Sequence, residues 1–147
     1  MEDRYLFKAK RVDNGEWVVG NLITNVFFRL GQSIPYILCP DKVNYACFED
    51  FSEGTGIFEV QPATICRCTG SKDKNGKLVW ENDLAKDEAG NLFKVFWQEN
   101  YYQFSWICVK SEKLPIGAKW NLWNFKRSEI EVIGNIFDNK ELLEREE

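Results

Sequence analysis

Two Asn-Gly dipeptides, Asn14-Gly15 and Asn75-Gly76, stand between runs of alternating apolar and polar residues. Asn and Gly accept the positive φ that tight hairpins need, so this pattern commits the chain to antiparallel strands that fold back over short distances. Over residues 4–12, Tyr5, Phe7 and Ala9 share one face of a predicted strand, opposite Lys8 and Lys10. Trp17-Val18-Val19-Gly20-Asn21-Leu22-Ile23 reads as its partner across the Asp13-Asn14-Gly15 turn. Thr64 to Thr69 is a second strand, with Cys66 and Cys68 beside Thr64 and with Ile65 on the other face. The segment from Lys72 to Lys77 predicts a type I′ hairpin, returned by Leu78-Val79-Trp80. Asp83 to Lys86 forms a further short strand, closed by a turn at Asp87 to Asn91. Phe93, Val95 and Trp97 then face one way, and Tyr102, Phe104, Trp106 and Cys108 line one side of the next strand. Short strands at this spacing predict a sandwich or small barrel rather than parallel βαβ units.

Residues 24–61 carry weaker signals. Ile34 to Cys39 reads as a strand broken by Pro35 and ended by Pro40, and Asp41 to Phe51 as a short helix or an irregular loop. Gly54-Thr55-Gly56 marks a turn, and Phe58 to Val60 a short strand ending at Pro62. Near the C-terminus, Ile130 to Phe137 is apolar on both faces and predicts a central strand. Asp138 and Glu141 have capping-box spacing, and Phe137 and Leu142 that of a hydrophobic staple, predicting a short helix over Asp138 to Arg145. Glu144, Glu146 and Glu147 oppose its dipole, and so short a helix must dock Leu142 or Leu143 on this domain or on a neighbouring subunit. No repeat, low-complexity tract or linker interrupts the pattern. One domain over 1–147 is expected, with an N-terminal β subregion in 1–61 and a barrel plus helix in 62–147.

A chain of 147 residues can bury roughly 70% of its unfolded surface and needs no disulfide or metal to hold a core. Apolar residues make up 44% and charged residues 29%, which separates it from disordered chains. The aromatic share of 15% favours half-buried sheet surfaces. The net charge of −4 opposes an approach to phosphate backbones outside a local basic patch. No run approaches the ~20 apolar residues that span a bilayer, and no apolar signal core follows Met1-Glu2-Asp3-Arg4, so no membrane contact and a cytoplasmic location are expected. The five cysteines, Cys39, Cys47, Cys66, Cys68 and Cys108, are therefore expected to be reduced and buried.

Two blocks together resemble a known family. Thr64-Ile65-Cys66-Arg67-Cys68-Thr69-Gly70-Ser71-Lys72-Asp73-Lys74-Asn75-Gly76-Lys77, followed by Val79-Trp80-Glu81-Asn82-Asp83, is similar to the central pattern T-I-C-Q-x-T-G-L-x-D-x-N-G-x-x-I-x-E-G-D of the YopX family. Glu131-Val132-Ile133-Gly134-Asn135-Ile136-Phe137-Asp138-Asn139, ending in Glu141-Leu142-Leu143, resembles that family's E-V-I-G-N-I-Y-x-N-P-E-L-L, and Trp17-Val18-Val19-Gly20-Asn21-Leu22 its opening W-V-x-G-x-L. The resemblance implies a phage or prophage protein of the bacterial cytoplasm, largely β with small-barrel character. It brings no activity, catalytic residue or binding position with it. Asn82 stands where the pattern has glycine, a substitution that tolerates the same positive φ, and Lys140 stands where it has proline.

The chemistry in the chain is sparse. Cys66-x-Cys68 has the wrong spacing for zinc and there is no histidine, so no metal or other cofactor is expected. Glu81, Asp83 and Asp73 could gather around a divalent cation for hydrolysis, but turn formation explains them as well. Asp138-x-Lys140 falls at a helix cap, and no glycine-rich loop has a phosphate-binding form. Lys110, Lys113, Lys119, Lys126 and Arg127 surround Trp120, Trp123 and Phe125, a mixture that can track and stack a single strand; the competing reading is a hairpin with its aromatics in the core. Tyr101 and Tyr102 suit a protein interface if a hairpin tip exposes them, against ordinary packing of one ring. The sequence thus predicts a mainly β protein with a small SH3-like or similar barrel in 62–137, an additional N-terminal β layer and one short C-terminal helix. The expected role is a non-enzymatic module that binds a host or phage protein, with homo-oligomers possible. The alternative is a single-stranded nucleic-acid binder through the Lys110 to Arg127 segment, with Lys119, Trp120, Trp123, Lys126 and Arg127 as candidate contacts.

Overall fold

Ala9 and Val18 are buried opposite one another across two antiparallel strands, at the centre of the first of two compact units, Met1–Cys68 and Thr69–Glu147. The computed structural model describes residues 5–39, 56–122 and 129–144. The expected helix or loop at Asp41 to Phe51 and most of the Gly54-Thr55-Gly56 turn lie outside them.

In the first unit, β1 (Phe7–Lys10) and β2 (Trp17–Arg29) form the predicted hairpin. Its loop closes with Gly15 at φ +73° donating to the Arg11 carbonyl at 3.0 Å. β3 (Gln32–Leu38) returns along β2, β4 (Ile57–Glu59) pairs with Tyr36 to Leu38, and β5 (Cys66–Lys72) starts beside β1. The order is β4-β3-β2-β1-β5, antiparallel throughout. Ala9, Val18, Ile37, Cys39 and Val60 make the core, with Phe7, Leu22, Phe58 and Ile65 against it. Gly20 is required there, because a Cβ would collide with the Leu38 carbonyl. Pro35 does not break β3 as the sequence suggested. The ladder with β4 ends at Tyr36, and the Pro35 carbonyl still accepts the Val60 N–H at 3.2 Å, so proline stands where the ladder stops.

The second unit contains the rest of β5 with its partner β6 (Leu78–Trp80), and then β7 (Asp83–Lys86), β8 (Leu92–Gln98), β9 (Gln103–Lys110), β10 (Lys119–Asn121) and β11 (Glu131–Asn135). The last five form an antiparallel sheet in the order β10-β9-β8-β7-β11. Phe93, Val95, Trp106 and Cys108, which the alternation placed on inward faces, are all buried in its core with Val79, Ala85, Ile130 and Val132.

Three expectations are corrected. The Asn75-Gly76 corner is not a type I′ turn, since Gly76 has positive φ and Asn75 does not. Asp73 instead opens a three-residue bulged loop: its N–H reaches the Lys77 carbonyl at 2.8 Å, Gly76 donates to its carbonyl at 3.0 Å and Lys77 to its Oδ1 at 2.9 Å. Asp87, Gly90 and Asn91 repeat the same three bonds in the next hairpin. Second, among the described residues the strands do not close into an SH3-like barrel: the sheet is open, and β11 lies at its end rather than at its centre. The far side of β11 is taken by the Asp73 loop, with Val132 donating to Asp73 Oδ2 at 2.9 Å and Lys74 to the Ile130 carbonyl at 3.0 Å. Third, in place of the helix Asp138 to Arg145 there is one 3-10 turn, Lys140–Leu143. Asn135 Oδ1 captures the N–H groups of Phe137 and Asp138, both at 2.9 Å, and the turn starts after Asn139, one residue beyond the cap expected at Asp138.

Candidate interaction surface

The β8–β9 hairpin runs in register from Phe96 opposite Ser105 to Gln98 opposite Gln103, leaving Glu99 to Tyr102 as its loop. Ser105 is buried and donates to Gln98 Oε1 at 2.8 Å, and the Gln103 amide bonds to Asn121 on β10, so polar side chains brace the base of the loop. Trp97 and Phe104 meet edge to face at 5.0 Å. Above this base, Glu99–Tyr101 makes one 3-10 turn, and Tyr102 ends it in the left-handed region at φ 51° and ψ 48°. A non-glycine residue there costs about 1 kcal/mol or more. Tyr101 and Tyr102 are 68% and 80% exposed. The strand face predicted to carry Tyr102 therefore begins at Phe104. Tyr102 has left the sheet and stands at the tip.

The basic and aromatic segment is placed differently. Lys119 is exposed on β10, with its ammonium 5.9 Å from the Phe96 ring centroid. Trp120 is half-buried and meets Phe93 edge to face at 5.5 Å, packed on the core. Trp123, Lys126 and Arg127 lie outside the described residues. Near this segment a cleft of about 640 Å³ is lined by Gly90, Asn91, Lys110, Ser111, Lys113 and Ile116. Ser111 donates to Asn91 Oδ1 at 2.6 Å and accepts from the backbone of Lys113 and Leu114, so its hydroxyl holds the loop together.

Of the three carboxylates weighed for hydrolysis, Asp73 and Asp83 are buried in backbone hydrogen bonds, and Glu81 is half-buried. Asp73 accepts from Asn75, Lys77 and Val132, and Asp83 accepts from Trp80 N–H at 2.8 Å. Burial pushes the Asp73 carboxyl upward, but the three N–H donors, aided by the charge of Lys77, hold it below the usual carboxylate range. Asn82 takes the φ of +71° expected where the family pattern has glycine, and its N–H and carbonyl tie it to Val95 and Ile136. The central and C-terminal blocks of the resemblance thus bond to each other through Asp73 and Val132 and through Asn82 and Ile136, and Lys74 adds a bond to Ile130 just before the second block. They are fasteners of the second unit. Cys39, Cys66, Cys68 and Cys108 are buried, and burial raises the Cys108 thiol. Among the described residues no three His, Cys, Asp or Glu side chains gather to hold a metal, and no helix is long and apolar enough to cross a membrane.

Sequence reasoning missed one surface. β2 extends past a bulge at Asn25 and turns at Leu30-Gly31, where φ is 52° and 80°. This is the two-residue turn with positive φ at both central positions that was expected at Asn75-Gly76. Val26, Phe28 and Leu30 alternate along the ribbon and are 62%, 60% and 99% exposed. Phe27 points the other way and packs on Tyr36 with centroids 4.5 Å apart. The signal available in the sequence was the absence of charge: from Trp17 to Leu38 only Arg29 is charged.

Compared with known proteins, residues 7–144 match the family model described as YopX protein. No curated protein matches the chain.

Proposed function

The chain belongs to the YopX family, and from that premise we propose that it is a non-enzymatic interaction module, binding a host or phage protein in the bacterial cytoplasm. Its contact residues are Tyr101 and Tyr102. The observation that carries this reading is the backbone of Tyr102. A bulky aromatic residue occupies a left-handed position that Asn or Gly would fill at lower cost, on a tip where it is exposed. Each ring offers on the order of 150–250 Å² and a phenolic hydroxyl to a partner, the mixed character of binding hot spots. The engagement of Asp73 and Asp83 by backbone N–H groups supports a role without hydrolytic chemistry. Single-stranded nucleic-acid binding is the weaker reading, because Trp120 turns its ring to Phe93 rather than outward.

Affinity capture from phage-infected cells tests the proposal, using the full chain and its Tyr101→Ser/Tyr102→Asn variant. The expected result is a partner retained by the wild type and lost by the variant, with folding intact because Asn suits the turn. Equal capture by both would remove the tip from the reading. Salt-sensitive oligonucleotide binding abolished by Lys119→Glu would replace protein binding with the alternative.

A further inference from the structure

We propose that the partner of this module is an acidic protein segment, whose carboxylates dock on the face of β8, β9 and β10 that carries Lys94 and Lys119 on either side of Ile107. This rests on the protein-binding reading and names the chemistry of the partner.

The only charged residues in β8, β9 and β10 are Lys94, Lys110 and Lys119, in a chain whose net charge is −4. Phe93, Val95, Trp106 and Cys108 turn into the core, so alternation sends Lys94, Phe96, Ser105 and Ile107 to the other face. Register then aligns Lys94, Ile107 and Lys119 in one row across the three strands, and Phe96, Ser105 and Asn121 in the next. Lys119 is exposed, and Lys94, Phe96 and Ile107 are half-buried. Among the described residues neither Lys94 nor Lys119 makes an ion pair. The acid of this hairpin, Glu99, stands in the tip loop and not on the face. A row of cations without a counter-charge, on a chain with an excess of acid, selects an anionic occupant.

Two strand spacings, about 10 Å, separate the backbones of the two lysines, and Ile107 fills the middle of the row. The complementary surface is a pair of carboxylates with an apolar side chain between them. A single-stranded nucleic acid is also anionic, but it needs rings to stack on. Phe96 is the aromatic residue of these two rows, half-buried with the Lys119 ammonium 5.9 Å from its centroid, and Trp120 is turned to Phe93. The side-chain amides beside them are engaged within the sheet: Gln103 bonds to Asn121, and Gln98 accepts from Ser105. The face continues into the tyrosine tip through the same hairpin, so one partner reaches both.

Fluorescence anisotropy of the full chain with a labelled Glu-Leu-Gly repeat peptide tests this, against the matching Gln-Leu-Gly repeat and an oligothymidylate of equal length. The expected result is binding of the Glu peptide that weakens as salt rises, with the Gln peptide and the oligothymidylate weaker by about tenfold or more. Lys94→Gln/Lys119→Gln should lose the same factor without lowering the unfolding midpoint, and Lys94→Arg/Lys119→Arg should keep it. No binding of the Glu peptide at low salt, equal binding of the Gln peptide, or an unaffected Lys94→Gln/Lys119→Gln variant would overturn the proposal. So would tighter binding of the oligothymidylate. Capture from phage-infected cells separates this inference from the reading beneath it. A partner lost by Tyr101→Ser/Tyr102→Asn but held by Lys94→Gln/Lys119→Gln leaves the tip standing and removes the acidic segment; a partner lost by both variants supports both.

Discussion

Leu30 and Tyr102 are bulky residues on left-handed backbone at exposed tips, where no core packing repays the conformation. Replacing either with Asn should raise stability by about 0.5–1 kcal/mol in urea unfolding, because Asn relieves the steric cost at that φ. A fall in stability would show that the side chain contributes to its own fold. Asp73 is the opposite case, a buried group whose every role is internal. Asp73→Asn replaces a carboxylate that serves three N–H donors with an amide that has one accepting oxygen, and should cost about 1–3 kcal/mol.

At the scale of elements, the segment after β11 is held by asparagine side chains rather than by helix. Gly134 follows a bulge between Val132 and Gly134, and the space its Cβ would take is filled by the Asn139 side chain, which accepts the Asn135 N–H at 3.1 Å. Gly134→Ala should therefore destabilise the protein by about 1–3 kcal/mol. The cost should be smaller in an Asn139→Ala background, since both changes act on one contact. A double-mutant cycle in urea checks this, and additive losses would show that the two residues do not share it. The 3-10 turn Lys140–Leu143 adds no regular helix for a far-ultraviolet spectrum to detect.

For the whole molecule, acid is the condition that finds its fasteners. The folded pKa of Asp73 lies below its value in the unfolded chain, so its contribution is complete above the unfolded value near 4. It is lost as pH falls through the lowered folded value. Unfolding followed from pH 7 to pH 2 should show a decline below about pH 4 that is shallower in Asp73→Asn. Thiol chemistry should report the core in the same way. Cys39, Cys66, Cys68 and Cys108 are buried, and the Cys108 thiol is pushed upward, so thiolate attack is slow in the native state. Site-resolved alkylation should modify these four at the rate of unfolding; rapid labelling of Cys108 without denaturant would contradict the packing.

Alternation and turn residues are local properties, and by themselves they determined the β class, most strand positions and the inward sides of Phe93, Val95, Trp106 and Cys108. Asn82 was legible for the same reason, because its φ preference belongs to one residue. The family could be read from contiguous blocks, but what those blocks do could not, since Asp73 serves Val132 across 59 positions of chain. Only the tertiary structure decided that the sheet stays open among the described residues, that Asn135 takes the N–H groups of Phe137 and Asp138, and that Tyr102 and the Val26–Leu30 ribbon meet solvent. Each of those outcomes depends on which distant group reaches a backbone N–H or covers a face first, and no local pattern encodes that competition.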